Sequence, residues 1–400
     1  MRPSTPPTVA CVSLPLHWCL GPPIGVGILQ SVLRREGIES RIYNLNLDFL
    51  RFVDPDPARA LGLYEELSDL FSLLPGEWLF SPADSERDRT YLDRLRADGV
   101  SPSIRDLLVR LRPLVPEYLA SVADRVVGGG HDVVGFTTSF MQTRPSVALA
   151  KILKERAPAT RIAFGGANVF GPPGRALLES FPDVDLVCHG EAEEAIAPIV
   201  RFLRGEPGAG PETLAGVTFR DGDRIVDRTE GGAAPRMDEI PVPDFSDWFE
   251  DLARVESELG ADLGLPVWLP VETARGCWWG AKKHCTFCGL NADRMAFRSK
   301  SPERVLAELE ELRGRYGRAR FCVVDNILDH RYFETVLPSL GRRRDGYEFH
   351  WEVKSNLGRR HVATLAAAVD RLSSTPLRYL LTPAARAFNK TVAAANGPAA

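Results

Sequence analysis

Lysine is scarce. Only seven of the 49 basic residues are Lys, acidic residues number 53, and the formal net charge is -4. A chain so balanced has no electrostatic footprint for wrapping a polyanion, which sets nucleic acid aside as a main partner. Uninterrupted apolar runs of about 18 or more residues are missing, and Pro15, His17, Pro22 and Pro23 break the opening segment before a signal-like core can form. No membrane partner is expected, and the location expected is cytoplasmic. The seven cysteines are odd in number and unevenly placed, which argues against a disulfide framework and for a reducing compartment. Internal repeats and long low-complexity runs are absent as well. What remains is an ordinary globular composition, 44% apolar and 26% charged over 400 residues. That is enough chain for roughly two or three domains of about 150 residues.

The first half alternates strand and helix patterns. Residues 9–14 read as a buried strand, and Ile24, Ile28, Val32 and Leu33 then recur at helical spacing until Gly37 offers a stop. Further strands are legible at 132–137, 161–164 and 184–188, with helical patterns at 145–156 and 173–181. Such alternation means a mostly parallel sheet covered on both faces. The stretch 57–127, with Leu107, Leu108, Leu111 and Leu114, reads as a helical insertion. A hairpin signal at 216–219 and 224–226 surrounds Asp221-Gly222-Asp223, and 229–243 has linker composition. The alternation then restarts with a strand at 267–273, a cysteine-bearing loop and a helix opened by Ser301, Pro302 and Glu303. Strands at 321–324 and 349–353 follow. These patterns divide the chain into an α/β domain over 1–205, a hairpin and linker over 206–248, and a second domain over 249–400 whose tail diverges after about 357.

Cys277-x7-Cys285-x2-Cys288 follows directly on a strand, so the thiolates sit where parallel barrels place their chemistry. Three soft ligands suit an iron-sulfur cluster with one open iron, or zinc completed by His284, or they stay unligated. Pleat arithmetic puts His350, Glu352 and Lys354 on one face of their strand and Phe349, Trp351 and Val353 on the other. Ionisable groups inside a barrel are costly unless they act or pair, so Asp325, Glu352 and Lys354 are the candidate catalytic residues. The alternative is a loop cap at Asp325 and an ion pair between Glu352 and Lys354. In the first domain, Gly25-Val26-Gly27 reads as helix packing. Three strands there run into small or hydroxyl residues that admit a ligand: Thr138 and Ser139, Gly165 and Gly166, Gly190 and Glu191. His131 and His189 read as partly exposed polar residues, and Cys11, Cys188 and Cys322 as small buried hydrophobes. Cys19 is left open.

The words Glu272-Thr273-Ala274-Arg275-Gly276-Cys277-Trp278-Trp279-Gly280 and Cys285-Thr286-Phe287-Cys288-Gly289-Leu290-Asn291 resemble radical S-adenosylmethionine (SAM) enzymes. The branch resembled is that of C-methyltransferases which mature ribosomally made peptides. The seven-residue first gap belongs to that branch. The resemblance implies that Cys277, Cys285 and Cys288 bind a four-iron, four-sulfur (4Fe-4S) cluster and that Phe287 is the aromatic residue before the last cysteine. Thr138-Ser139-Phe140 stands where the cobalamin-binding domain of such enzymes often has Ser-x-Leu, and Gly165-Gly166 matches its glycine pair. The Asp-x-His-x-x-Gly motif is absent, which implies a cobalt without a protein histidine ligand.

The fold class expected is α/β: a Rossmann-like cobalamin-binding domain with a parallel sheet, followed by a partial radical SAM (β/α) barrel. The resemblance implies three cofactors, the 4Fe-4S cluster, S-adenosylmethionine and cobalamin, and two partners, a precursor peptide and an electron donor. The activity implied is a cobalamin-dependent C-methyltransferase. The alternatives are a truncated carrier of cobalamin or cluster without turnover, a zinc-stabilised interaction protein, or another radical SAM peptide modification such as epimerisation or cross-linking. About six barrel strands are implied and three are legible. The expectation is therefore a chain cut short, its first domain folding well and its second marginal or in need of a partner.

Overall fold

The computed structural model describes residues 8–229, 234–283, 285, 288, 296–343, 346–354, 357–368 and 371–372. They fall into two compact units divided after Pro266. Among the described residues no helix is long and apolar enough to cross a membrane.

The first unit opens with β1 (Thr8–Ser13), α1 (Ile24–Arg35), β2 (Glu39–Asn44) and α2 (Leu45–Val53). Helices α3 (Pro57–Asp69), α4 (Pro75–Leu79), α5 (Ser85–Ala97), α6 (Pro102–Leu111) and α7 (Val115–Gly128) make up the insertion. The alternation resumes with β3 (Val133–Thr137), α8 (Thr143–Arg156), β4 (Arg161–Gly165), α9 (Pro172–Ser180), β5 (Leu186–Cys188) and α10 (Ile196–Leu203). The hairpin β6 (Val217–Asp221) and β7 (Arg224–Arg228) and the helix α11 (Ser246–Leu259) close the unit. Helix α1 forms as its periodicity dictates, burying Val26, Ile28, Val32 and Leu33, and it stops where Gly37 takes φ +70.

Seven strands make one sheet in the order β2-β1-β3-β4-β5-β6-β7, parallel from β2 to β5 and antiparallel beyond. That is a doubly wound order whose switch point lies between β1 and β3, and it has the parallel sheet expected of the first domain. Two expectations are corrected here. The hairpin expected to lie between the domains with the linker, over 206–248, belongs to the first sheet: Val217, Thr218 and Phe219 are buried and β6 pairs with β5 through Leu186↔Phe219. The boundary expected at 248/249 lies inside α11, because that helix is bound by charge to β2 and its neighbours. Asp247 accepts from Gln30 Nε2 at 2.6 Å and Ile42 N at 2.7 Å, and Asp251 accepts from Asn44 N at 2.9 Å. The Gly25-Val26-Gly27 reading holds at Gly27, where an added Cβ would meet Phe245 Cε1 at 2.9 Å.

The second unit comprises β8 (Leu269–Val271), the short antiparallel pair β9 (Ala274–Arg275) and β10 (Arg298–Ser299), then α12 (Pro302–Tyr316), β11 (Arg320–Val323), α13 (Val336–Arg343), β12 (Glu348–His350), α14 (Arg359–Ala368) and β13 (Arg371–Leu372). Strands β8, β11, β12 and β13 lie side by side in chain order, all parallel, each reached through a helix. Ser301 caps α12 by accepting from Arg304 N at 3.2 Å, and Val305, Leu309 and Leu312 form its buried stripe. The tail expected to lack a strand contributes α14 and β13. Its alanines mark close helix packing: a Cβ on Gly341 of α13 would meet Ala367 O of α14 at 2.6 Å.

Candidate functional site

In the second unit the chain leaves β8 into the cysteine loop, and the neighbouring strand holds that exit in place. Asp325, two residues past β11 and 3% exposed, accepts from Thr273 N at 2.7 Å and Ala274 N at 2.9 Å. It also accepts the Thr273 hydroxyl. Burial outweighs these three donors and pushes the Asp325 carboxyl up to about 7. Tyr332 completes the brace, its hydroxyl donating to Lys300 O at 2.7 Å and Thr273 O at 3.3 Å. Lys300 itself is buried with its Nζ 2.6 Å from Glu308.

Within the loop, Gly280 N donates to Cys277 Sγ at 3.3 Å and Cys288 N to Cys285 O at 3.1 Å. Cys277, Cys285 and Cys288 are half-buried, whereas Cys11, Cys19 and Cys188 are buried. Burial pushes the thiols of Cys11 and Cys188 up to about 12 and that of Cys19 higher still, so these three are inert packing groups, and the loop position left open for Cys19 is interior. Half-buried Cys322 is likewise pushed up to about 12 by desolvation. The loop trio thus fits a metal or cluster in donor chemistry. Among the described residues no group of three or more His, Cys, Asp or Glu is arranged to hold a metal ion, so the loop presents these donors without gathering them. Phe287 and His284 lie outside the described residues.

The ionisable trio expected after β12 is not brought together. The strand ends at His350, and 351–354 are irregular, so the inferred alternation stops short of Glu352 and Lys354. Phe349 of the other face stacks on Phe321 at 5.7 Å as expected of cross-strand neighbours. Glu352 is exposed, and its side chain makes no ion pair with Lys354 among the described residues. The Lys354 ammonium sits instead over the Trp279 ring, 3.4 Å from its centroid. Asp325 has its oxygens turned to the β8–β9 turn, the loop cap of the alternative reading.

Because Asp325 binds its proton more tightly in the folded chain than a free aspartate does, its contribution is full below pH about 4 and is lost as pH rises toward about 7. We expect Asp325→Asn, which keeps an acceptor for Thr273 and Ala274, to flatten that part of the pH dependence. Urea unfolding of wild type and variant at several pH values between about 4 and 7.5 checks this, and parallel curves would refute it.

In the first unit the C-terminal ends of β1, β3, β4 and β5 form a single mouth. Thr138 N and Oγ1 each donate to Gly165 O at 2.8 Å, so the buried hydroxyl is used internally. Gly166 has φ +101, and a Cβ there would meet Thr138 O at 2.3 Å. Gly165 has open space at the same point. Ser139 N donates to Gln142 Oε1 at 3.2 Å, while Gln142 Nε2 reaches Leu14 O at 2.7 Å across the switch point. Gln142 and Asn168, which donates to Phe140 O at 2.9 Å, set the shape of the mouth and were not singled out in the sequence. Gly190 takes φ +81 at the end of β5, followed by half-buried Glu191.

The expectation for His189 is corrected. It is buried and takes Gly171 N on Nδ1 at 3.0 Å, so Nε2 carries the proton toward Thr218 Oγ1 at 2.9 Å, which donates to Asp227 at 2.7 Å. Burial lowers its basicity, and both ring nitrogens are occupied. His131 is half-buried at the opposite end of β3, 2.8 Å from the Tyr43 hydroxyl.

We expect Gly166→Ala to destabilise the first unit by about 2 to 3 kcal/mol, from the left-handed backbone and the clash with Thr138 together. Gly165→Ala should leave stability unchanged, since nothing lies within 4 Å of its added Cβ. Thermal unfolding of the pair separates the two glycines, and equal midpoints would refute the distinction.

The fold is similar to that of solved cobalamin-dependent radical SAM enzymes. The fold resembles the cobalamin-dependent S-adenosylmethionine radical enzyme OxsB, with a TM-score of 0.56 and 14% identity over 91% of this chain and 42% of that one. It resembles the radical SAM methyltransferase TsrM from Kitasatospora setae, solved with cobalamin and a [4Fe-4S] cluster bound, with a TM-score of 0.52 and 16% identity over 93% of this chain and 62% of that one. By sequence the chain is 26% identical over 236 residues to the cobalamin-dependent radical SAM methyltransferase TokK of Streptomyces tokunonensis, covering 58% of this chain and 32% of TokK. It is 29% identical to the anaerobic magnesium-protoporphyrin IX monomethyl ester cyclase of Cereibacter sphaeroides, over 63% of this chain and 37% of the cyclase. It is also 29% identical to the 2-(S-pantetheinyl)-carbapenam-3-carboxylate methyltransferase of Streptantibioticus cattleyicolor, over 49% of this chain and 27% of that enzyme. Radical SAM enzymes, methyltransferases among them, are therefore its relatives. The chain spans about a third of the length of these curated relatives. No protein-family profile matches it.

Proposed function

We propose that this chain carries the cobalamin-binding unit and the cluster-bearing unit of a radical SAM C-methyltransferase. The observation that carries the reading is the cysteine loop, which leaves the C-terminal end of the first strand in a parallel, sequentially ordered β/α array. Upstream lies a doubly wound sheet with an open switch point, the place where such sheets hold ligands. Cys277, Cys285 and Cys288 would hold the cluster and leave one iron for S-adenosylmethionine. Gly165, Gly166, Ser139, Gly190 and Glu191 would face cobalamin, with no histidine of this chain offered to the cobalt. When bound, the cluster supplies an electron to cleave S-adenosylmethionine and methylcobalamin supplies the methyl group. The protein's part is spacing: Asp325 and Tyr332 fix the loop's exit, and Gln142 ties the β3 mouth to β1. An external electron donor is the partner this chemistry demands.

For the substrate, the Cys277-Trp278-Trp279-Gly280 word and the longer first gap support a ribosomally made peptide. A small molecule is the second reading, favoured by the carbapenam carboxylate named for one relative. Anaerobic reconstitution with iron, sulfide and hydroxocobalamin, followed by assay of 5′-deoxyadenosine and of methyl transfer, tests the proposal. Cluster absorbance without nucleoside would mean a carrier, and zinc without iron would mean an interaction protein. A methylated peptide or a methylated small carboxylate decides between the substrates.

A further inference from the structure

Lys354 calls for an account of its own, because among the described residues no carboxylate pairs with it. Its ammonium lies 3.4 Å from the Trp279 ring centroid and 5.7 Å from that of Trp278. The two indoles meet edge to face at 6.3 Å, and Trp278 Nε1 donates to Leu328 O at 3.0 Å. The backbone is pinned as well: Lys283 N donates to Trp279 O and Ala281 N to Cys277 O, each at 2.8 Å. The product of this winding is the Gly280 N–H aimed at the Cys277 sulfur at 3.3 Å.

We propose that Lys354 is a positioning residue for the cysteine loop, its cation seated on Trp279 holding the turn that directs the Gly280 N–H at the Cys277 sulfur. The proposal rests on the cluster reading above and deepens it. A cation over an indole face is attracted by the ring quadrupole, most strongly where water is partly excluded. An N–H donated to a ligand sulfur, with a positive charge nearby, eases addition of an electron to a thiolate-bound cluster. Lys354 therefore acts through Trp279, and not as an acid or base.

The test uses the full chain, reconstituted anaerobically with iron and sulfide. Iron release to excess chelator and the reduction potential of the cluster are measured for wild type, Lys354→Met, Lys354→Arg and Trp279→Leu. Lys354→Met should lose iron about fivefold faster, the ratio set by one partly buried cation–π contact, and should be reduced at a more negative potential. Lys354→Arg, which keeps a cation for the ring, should restore most of both. Trp279→Leu should match Lys354→Met, and the double variant should be no worse than either single one. A purely structural role would lower the unfolding midpoint of the metal-free chain without moving the potential. The proposal is overturned if Lys354→Met matches wild type in both readouts, or if Lys354→Arg is as impaired as Lys354→Met. Failure of wild type to take up iron would remove the cluster reading and this proposal with it.

Discussion

Replacing Cys277, Cys285 and Cys288 together with alanine is expected to abolish iron-sulfur absorbance after anaerobic reconstitution and, with it, all 5′-deoxyadenosine formation. Thiolates are the ligands that hold such clusters, and the other four cysteines are poor substitutes. Cys11, Cys19 and Cys188 are buried with thiols pushed well up, and Cys322 is desolvated within β11. Each single substitution should already be severe, because two sulfurs and the open iron leave the cluster under-ligated. The loop thiols are half-buried and the hydrophobic core of the unit lies elsewhere, so folding should survive the triple change. Bound iron per chain, measured beside the far-ultraviolet dichroism, checks both halves. Iron content equal to wild type in a folded triple variant would remove the cysteine loop as the site.

The second large effect is expected at Asp251, on the helix that a sequence reading assigns to the wrong domain. Its carboxylate is fully buried and accepts from Asn44 N at 2.9 Å, Asn44 Nδ2 at 3.1 Å and Arg41 at 3.1 Å, with Arg125 also paired. Asp48, likewise buried, shares Arg125 at 2.7 Å and Arg254 at 2.9 Å. Asp251→Ala removes one member of this network: the Asn44 N–H loses its acceptor, Arg125 keeps only Asp48, and Arg41 keeps only Asp247 and Glu250. Such a break costs about 3 to 5 kcal/mol. For a unit of this size that lowers the unfolding midpoint by roughly 10 °C. Asp251→Asn keeps an acceptor for Asn44 and should cost less. Calorimetry of the intact chain reads both, and a midpoint for Asp251→Ala within a degree or so of wild type would show that α11 is held by other means.

These two cases mark how far the sequence could be read. The cysteine loop was legible because ligand chemistry depends on residue type and short spacing, both printed in the chain. Helices α1 and α12 were legible for a related reason: their apolar stripes, the Gly37 stop and the Ser301 cap are local signals. Strand β2 was not. No strand is read over 39–44, where Glu39, Ser40, Arg41 and Asn44 dilute the apolar pattern; pairing with β1 and the carboxylates that α11 brings from about two hundred residues away hold these residues at the sheet edge. The hairpin's place was not legible for a like reason, since its pairing partner β5 lies outside the local signal that made 206–248 read as hairpin and linker. At the catalytic candidates, pleat counting presumed that β12 ran on to Val353, and the chain leaves the sheet at His350. Lys354 then meets an indole in place of a cavity.

By itself the sequence determined the kinds of chemistry available to this protein: three soft sulfurs on one loop, small residues at strand ends, and alternating strand and helix periods. Those follow from side-chain type and from spacings of a few residues. Tertiary structure alone decided the strand order that opens the switch point, the attachment of α11 to the first unit, and the partners of Asp325, His189 and Lys354. Such contacts join residues far apart in the chain, and a buried carboxylate, imidazole or ammonium takes its role from whichever donor, acceptor or ring the fold delivers to it.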